Sequence, residues 1–138
     1  MDPQVKELVI IDTDILIDVG TGDREALAAI KELRHKRTVA VSAITKMELV
    51  VGCRNKTEQR KLERFLADYQ VIHPVTAISE TAVGLLKQYH LSHNLRMPDS
   101  LIAATALQCD CELASKNQKD YRYIPGLKLL PYPIAALA

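Results

Sequence analysis

The segment Glu7–Val19 has the sequence ELVIIDTDILIDV. Its four consecutive aliphatic residues, 8–11, run directly into Asp12, and Asp14 follows two positions later. An uninterrupted apolar run of this length is typical of a strand buried on both faces, as in the centre of a parallel sheet. Open α/β folds build their sites at the carboxyl ends of such strands. The segment therefore predicts a central strand with two carboxylates at its outgoing edge, although Asp12 could equally be a helix N-cap.

The composition is that of an ordinary globular protein. With 138 residues, 48% hydrophobic and 25% charged, we expect one domain over residues 1–138 with its own core. The net charge of +1 creates no global field that would indicate nucleic-acid binding, so any basic patch must be local. Because the chain has no Trp and one Phe, its aromatic content argues against binding single-stranded RNA mainly by base stacking.

Cysteine usage and the amino terminus bear on location. The odd set Cys53, Cys109 and Cys111 contains no CxxC and favours reduced thiols in a cytoplasm. The start, MDPQVKEL, lacks the pattern of a secretory signal. No apolar run approaches the roughly 20 residues that span a bilayer. We therefore expect a cytoplasmic protein.

Hydrophobic periodicity predicts short strands alternating with helices, which indicates an α/β fold: a central, mostly parallel sheet of four to five strands flanked by helices. Beyond residues 8–11, the predicted strands are 38–41, 71–73, 112–115 and, as a possible fifth, 128–130. The predicted helices are a turn over 15–19 and helices over 24–35, 44–51, 57–69, 79–93 and 99–109, with caps at Asp23 and Ser42.

Two acids lie at informative positions in these helices. Ile44, Met47 and Val51 mark an apolar stripe, and Glu48 follows Ile44 by one turn, so we expect Glu48 on the buried face. A carboxylate there needs a cation or dense hydrogen bonding, unless it reaches solvent or pairs with a neighbouring cation. Asp99 heads the apolar face of the 99–109 helix, where it could also simply complement the helix dipole.

The segment Ala114–Tyr121, ASKNQKDY, leaves the fourth predicted strand at the same edge as Asp12. It offers Ser115, Asn117 and Asp120, which a surface turn would use as well. Three or four acids converging on one edge repel one another unless a cation binds among them. Oxygen ligands suit Mg²⁺ or Mn²⁺ rather than zinc, and the corresponding chemistry is phosphoryl transfer with a metal-activated water.

Four stretches resemble PIN-domain proteins, specifically the VapC ribonuclease toxins of type II toxin–antitoxin pairs. They are VIIDTDILID at 9–18, SAITKMELVVG at 42–52, MPDSLIAATAL at 97–107 and ASKNQKDY at 114–121. The resemblance covers essentially the whole chain in the same order. It implies a PIN-like three-layer fold and a Mg²⁺-dependent endoribonuclease that cuts RNA, is commonly a homodimer and is silenced by a small antitoxin protein.

The resemblance also implies roles for individual residues. The metal-binding acids are Asp12, Glu48 and Asp99. The family's fourth acidic position falls on Asn117, which carries no charge, and its following acid on Asp120; both belong to the predicted catalytic set. Contacts to these acids or to substrate are implied at Asp14, Thr13, Ser42 and Ser115.

Three other interpretations remain open. Asp12 and Asp14 resemble the nucleophile loop of haloacid-dehalogenase-like phosphatases, with Lys116 as the required Lys, but that class expects paired late acids that are absent. A non-catalytic PIN-fold module for RNA or protein binding is favoured only by Asn117. A zinc site is the third possibility, from His90, His93, Cys109 and Cys111, although solvated histidines and core thiols explain these residues better.

Contact with substrate phosphates must come from local cations. Two groups of basic residues flank the predicted site, and either could be merely a solvated face. They are Lys116, Lys119 and Arg122, and Arg54, Lys56, Arg60 and Lys61.

Overall fold

The fold is built on a five-stranded sheet in the order β3-β2-β1-β4-β5, and every neighbouring pair is parallel. The computed structural model describes residues 6–135. The expectation about the amino terminus rests largely on residues 1–5, which lie outside the described residues, as do 136–138. The predicted α/β class with a parallel sheet is confirmed, and the 8–11 strand is central as expected.

Five strands and six α-helices alternate along the chain. The strands are β1 Leu8–Ile11, β2 Thr38–Ser42, β3 Gln70–Ile72, β4 Glu112–Ala114 and β5 Lys128–Leu129. The helices are α1 Thr13–Gly20, α2 Arg24–Lys36, α3 Ala43–Val51, α4 Lys56–Leu66, α5 Thr76–His93 and α6 Met97–Cys109, with a short 3-10 helix at Gln118–Asp120.

Several helix ends differ from the predicted ones because capping was misjudged. The turn predicted over 15–19 is a full helix from Thr13, because Asp12 accepts the Thr13 amide and caps it. Helix α5 begins at Thr76, so Ser79 is an interior residue and not its cap. Helix α4 ends at Leu66, and the buried Tyr69 lies in the turn that leads into β3.

The core lies on both faces of the sheet. Ile10 of β1 packs with residues of α5 and α6 on one face. Val9 and Ile11, whose side chains point the opposite way, pack with residues of α1, α2 and α4 on the other. Burial on both faces explains why β1 is continuously apolar.

A helix that spans a bilayer must be long and apolar. Within residues 6–135, none combines the length and hydropathy that a membrane crossing demands.

Candidate functional site: an acidic edge at β1 and β4

The carboxyl ends of β1 and β4 form the edge at which the predicted site residues gather. Ile11 is the register partner of Ala114, and the Asp12 amide donates to the Ala114 carbonyl at 2.9 Å. The chain runs outward from β1 to β2 and β3, then returns to the other side of β1 as β4 and β5. This is a topological switch point, where parallel α/β sheets open a crevice.

Asp12 lies at the bottom of this crevice and is only 5% exposed. Its Oδ1 accepts the Thr13 amide at 2.9 Å and its Oδ2 accepts the Ser115 hydroxyl at 2.7 Å. Asp12 is therefore the N-cap of α1, as one interpretation from sequence expected, and it also lies at the edge where the other predicted site residues gather. Burial, followed by the charges of Asp14 and Asp99, raises the pKa of Asp12 to about 7.

Ser115 is the residue that joins β4 to the acids. It is fully buried, and its hydroxyl lies 2.7 Å from Asp12 and 3.3 Å from Oδ2 of Asp14. The same oxygen accepts the Asn117 amide at 2.9 Å. Because a hydroxyl carries one proton, Ser115 donates to Asp12 or to Asp14 at any moment. Burial raises the pKa of Asp14.

Glu48 reaches the site from an exposed position, which corrects one prediction. The buried residues of α3 are Ala43 and Thr45, whereas Met47 is 58% and Val51 84% exposed. Two of the three residues of the stripe assigned from sequence therefore face outward, while Ile44 packs against the core, and Glu48 is not on a buried face. Helix α3 is short and apolar on several sides, so helical spacing alone did not identify its packed side.

The hydroxyl of Thr13 nevertheless holds Glu48 at the edge. Thr13 Oγ1 lies 2.8 Å from Oε1 of Glu48 and 3.0 Å from the hydroxyl of the buried Thr45. The suggested pairings of Glu48 with neighbouring cations are not formed, because Lys46 pairs with Glu63 and Arg54 with Glu58.

Asp99 enters the site from the first turn of α6. The hydroxyl of Tyr121 donates to Oδ1 of Asp99 at 3.2 Å. Burial raises the pKa of Asp99, and the charges of Asp120 and Glu48 raise it further. Asp99 therefore interacts with acids from two other elements, as expected for convergence on one edge.

The loop after β4 supplies Asn117 and Asp120. The side-chain amide of Asn117 donates to Oδ2 of Asp120, and Asn117 is exposed. Ser42, in contrast, is taken up by helix capping: it is buried, and its hydroxyl accepts the Ile44 amide at 3.1 Å. Of the predicted hydroxyl contacts, Thr13 and Ser115 touch the acids.

Comparison with known proteins identifies the family. The PIN domain family matches residues 9–126. The chain belongs to the PIN-domain family.

Relatives and solved structures agree with this assignment. Ribonuclease VapC10 of Mycobacterium tuberculosis is 32% identical over 122 residues, which cover 88% of this chain and 91% of the relative. Ribonuclease VapC19 of the same species is 30% identical, covering 86% and 96%. A toxin–antitoxin complex from Klebsiella pneumoniae contains a chain with a TM-score of 0.75 and 33% identity, covering 91% and 97%. The resemblance to VapC-type proteins seen in the sequence is thereby confirmed.

The cations around this PIN-domain edge fall into two groups. Lys116 forms an ion pair with Asp18. Its ammonium group is thus bound to Asp18 and not to Asp12, which a haloacid-dehalogenase-like Lys would have to contact. Arg54 is engaged by Glu58. Lys119 and Arg122, in the loop that carries Asn117 and Asp120, are exposed.

The side chains of this PIN domain that could hold a metal ion are the carboxylates at the β1–β4 edge. Within residues 6–135, no three His, Cys, Asp or Glu side chains are placed to share one ion directly, and the four zinc candidates are included in that statement. Burial and the charges of Asp14 and Asp99 nevertheless raise the pKa of Asp12, and burial with the charges of Asp120 and Glu48 raises that of Asp99. Oxygen donors under mutual repulsion suit a hard divalent cation, and Mg²⁺ usually keeps several waters between itself and its carboxylates.

Sequence reasoning missed two buried residues of the site. Tyr121 is fully buried, and the nearby charges of Asp12 and Asp99 add to burial in raising its pKa. Thr45 is fully buried beneath Thr13. Tyr121 closes the matched stretch ASKNQKDY, so its place in that stretch was the available signal; Thr45 had none beyond its position in α3.

Proposed function

We propose that this protein is a metal-dependent endoribonuclease that hydrolyses phosphodiester bonds in RNA, as the toxin of a toxin–antitoxin pair. The observation that carries the proposal is that three acids from different helices and strand ends lie near one another at the β1–β4 edge. Thr13 binds both Asp12 and Glu48, and the charge of Asp99 acts on Asp12 and helps to raise its pKa. The relatives' names, which describe ribonucleases, supply the substrate class.

Asp12, Asp99 and Glu48 would hold Mg²⁺ or Mn²⁺, with Asn117 or Asp120 completing the set through water. The bound ion would supply a water of lowered pKa and neutralise charge on the phosphate oxygens. Cleavage also has a requirement that the chain itself must meet: the acids must be ionised and held apart before the ion binds.

The hydrogen bonds of the site meet this requirement. Ser115 and the Thr13 amide hold one orientation of the Asp12 carboxylate. The Thr13 hydroxyl holds Glu48, and the Tyr121 hydroxyl holds Asp99. Each acid is thus oriented by a donor that carries no charge, so its negative charge remains available to the ion.

Substrate contact is assigned to the exposed cations of the loop after β4. Lys119 and Arg122 flank Asp120 on either side and are exposed. Two cations near the acids would hold phosphates next to the one being cut, which predicts binding that weakens as salt rises.

Cleavage of RNA by wild type and Asp99→Asn tests the proposal. Wild type should cut with Mg²⁺ or Mn²⁺ and not with EDTA, and Asp99→Asn should lose about 100-fold or more in rate, because one ligand charge is removed. Glu80→Gln, which removes an exposed carboxylate of α5, is the matched control and should cut normally. Equal rates for wild type and Asp99→Asn would contradict the site assignment.

The RNA pool should include tRNA, rRNA and mRNA, because a selective nuclease cuts only some of them. If none is cut, growth arrest provides the second readout. Expression of wild type in bacteria should halt growth, and Asp12→Asn should not. Arrest by both proteins would favour the non-catalytic PIN-fold module.

A protein partner is part of the proposal. The Klebsiella relative is from a toxin–antitoxin complex, and this chain exposes the apolar side chains of Met47, Val50 and Val51 on α3. We propose that a small antitoxin binds this chain and that the chain forms a homodimer. Light scattering should give twice the mass of one chain, and one chain mass would remove the homodimer.

A further inference from the structure

Three aromatic rings pack together where α5 ends. The rings of His93 and Tyr123 are stacked, with centroids 4.0 Å apart and planes inclined by 20°. Tyr89 meets His93 edge-on at 5.6 Å and Tyr123 at 5.0 Å. Tyr89 and Tyr123 are partly buried against the core, whereas His93 is exposed. One face of the imidazole is covered by Tyr123, which leaves the opposite face for a further planar group.

The cluster borders the acidic edge. Tyr123 follows by two residues Tyr121, whose hydroxyl binds Asp99. Helix α5 ends at His93, and α6, which carries Asp99 in its first turn, begins at Met97. The charges of Asp120 and Asp99 act on the Tyr123 hydroxyl and, together with burial, raise its pKa. The stacked rings thus lie beside the acids on the side where α5 passes into α6.

Charge around the cluster suits a nucleotide. Arg96 and Arg122 are exposed, and they lie close in sequence to His93 and Tyr123 respectively. A base needs a flat ring to stack on, and the phosphates on either side of it need cations. The cluster supplies the flat ring, and the two exposed arginines lie within three residues of it in the chain. It also contains a buried Tyr123 hydroxyl without a hydrogen-bond partner, so packing alone leaves this donor unsatisfied.

We propose that the exposed face of His93, backed by Tyr123, is a stacking subsite for one base of a single-stranded RNA, next to the phosphate that is cut. This inference rests on the proposed nuclease function and adds a place where substrate binds. The low aromatic content predicted that single-stranded RNA is not bound mainly by base stacking, and a single stacking subsite is compatible with that prediction. Two of the five tyrosines are concentrated here, which a residue count does not reveal.

The chain contains no Trp, so a single introduced indole reports on this site alone. His93→Trp in the Asp99→Asn background, which should keep RNA intact, is titrated with a single-stranded RNA of about ten nucleotides. Stacking of a base on the indole should quench its fluorescence saturably. Leu91→Trp in the same background is the matched control, since Leu91 lies two residues earlier on α5 and is 95% exposed. Its fluorescence should stay unchanged.

Substitution without a reporter gives the second measurement. His93→Ala should weaken binding of the same RNA by about tenfold, and His93→Phe should restore most of it, because stacking requires a ring rather than a charge. In the cleaving protein, His93→Ala should raise KM and leave kcat close to wild type. Leu91→Ala should change neither value. If His93→Ala melts early, the Phe and Trp variants still test the proposal.

The outcomes separate this inference from the function on which it rests. Absence of quenching in His93→Trp, or unchanged RNA binding by His93→Ala, overturns the stacking subsite even when wild type cuts RNA through Asp99. If wild type shows no metal-dependent cleavage of RNA, the proposed nuclease function is overturned, whatever the fluorescence shows. Quenching at position 93 but not at position 91, together with restoration by Phe, supports the subsite.

Discussion

Asp12 is the residue at which the fold and the proposed function meet. The same carboxylate caps α1 and accepts a hydrogen bond from Ser115, and the charges of Asp14 and Asp99 add to burial in raising its pKa. A buried acid in this position is costly when it is ionised, because burial and like charges both favour its neutral form. Under the proposed function this cost has a purpose, since binding of a divalent ion would need the negative charge.

This cost makes stability fall as pH rises. The pKa of Asp12 is about 7 in the folded chain, against 3.8 as its ordinary value. The folded state therefore holds a proton that the unfolded state releases, and stability is lost between about pH 4 and pH 7. In metal-free buffer, Asp12→Asn should be more stable than wild type at about pH 8 by about 2–4 kcal/mol, because Asn carries no charge and keeps an oxygen that can cap α1. It should lose that advantage near pH 4.

Urea unfolding at both pH values measures this difference. Asp23→Asn is the control, because Asp23 caps α2 through the Ala26 amide at 3.0 Å and is exposed. Its stability difference from wild type should change little with pH. If the free energy of unfolding of wild type instead rises relative to that of Asp12→Asn as pH increases, ionisation of Asp12 does not destabilise the fold.

At the scale of the element, α1 and α3 are joined by a short hydroxyl chain. Thr13 in α1 bonds Glu48 and Thr45 in α3. Loss of the Thr13 hydroxyl would remove a hydrogen-bond partner of the Thr45 hydroxyl. Because Thr45 is fully buried, water does not readily replace that partner. The position of Glu48 therefore depends on a residue of another helix, which the sequence of α3 does not encode.

Thr13→Val removes this link and keeps the shape of the side chain. We expect a loss of about 1 kcal/mol in stability and at least about tenfold in RNA cleavage, since Glu48 is no longer held. Thr13→Ser, which keeps the hydroxyl, should retain most activity. Thr57→Val, at an exposed position of α4, is the control for the substitution itself. Equal cleavage by the Val and Ser variants would mean that Glu48 needs no fixing.

The elements also show what could be predicted from the sequence. The apolar run 8–11 specified β1 because burial on both faces leaves no polar position. Asp12, Asp99 and Ser115 were predicted because each lies at the end of an element, where parallel topology brings ends together. The packed side of α3 was wrong, and Tyr121 was missed, because both depend on contacts between residues far apart in the chain.

At the scale of the whole molecule, the sheet order places the acids. Residues 12, 48, 99 and 120 come from distant parts of the chain, and the return of the chain from β3 to β4 across β1 brings their elements to one edge. Folding thus gathers negative charge before any ion is present. An ion that binds only the folded chain should relieve the repulsion and stabilise the whole fold.

Thermal unfolding in MgCl₂ and in EDTA tests this coupling. At an ion concentration of about 100 times Kd, the stabilisation should be about 2.7 kcal/mol, a rise of several degrees in Tm. The rise should be larger at about pH 8 than at about pH 5.5, because the raised pKa values of Asp12, Asp14 and Asp99 mean that protons must leave before the ion binds. Asp99→Asn should lose most of the rise, and Glu80→Gln should keep it. A rise that is the same at both pH values would place the ion away from these acids.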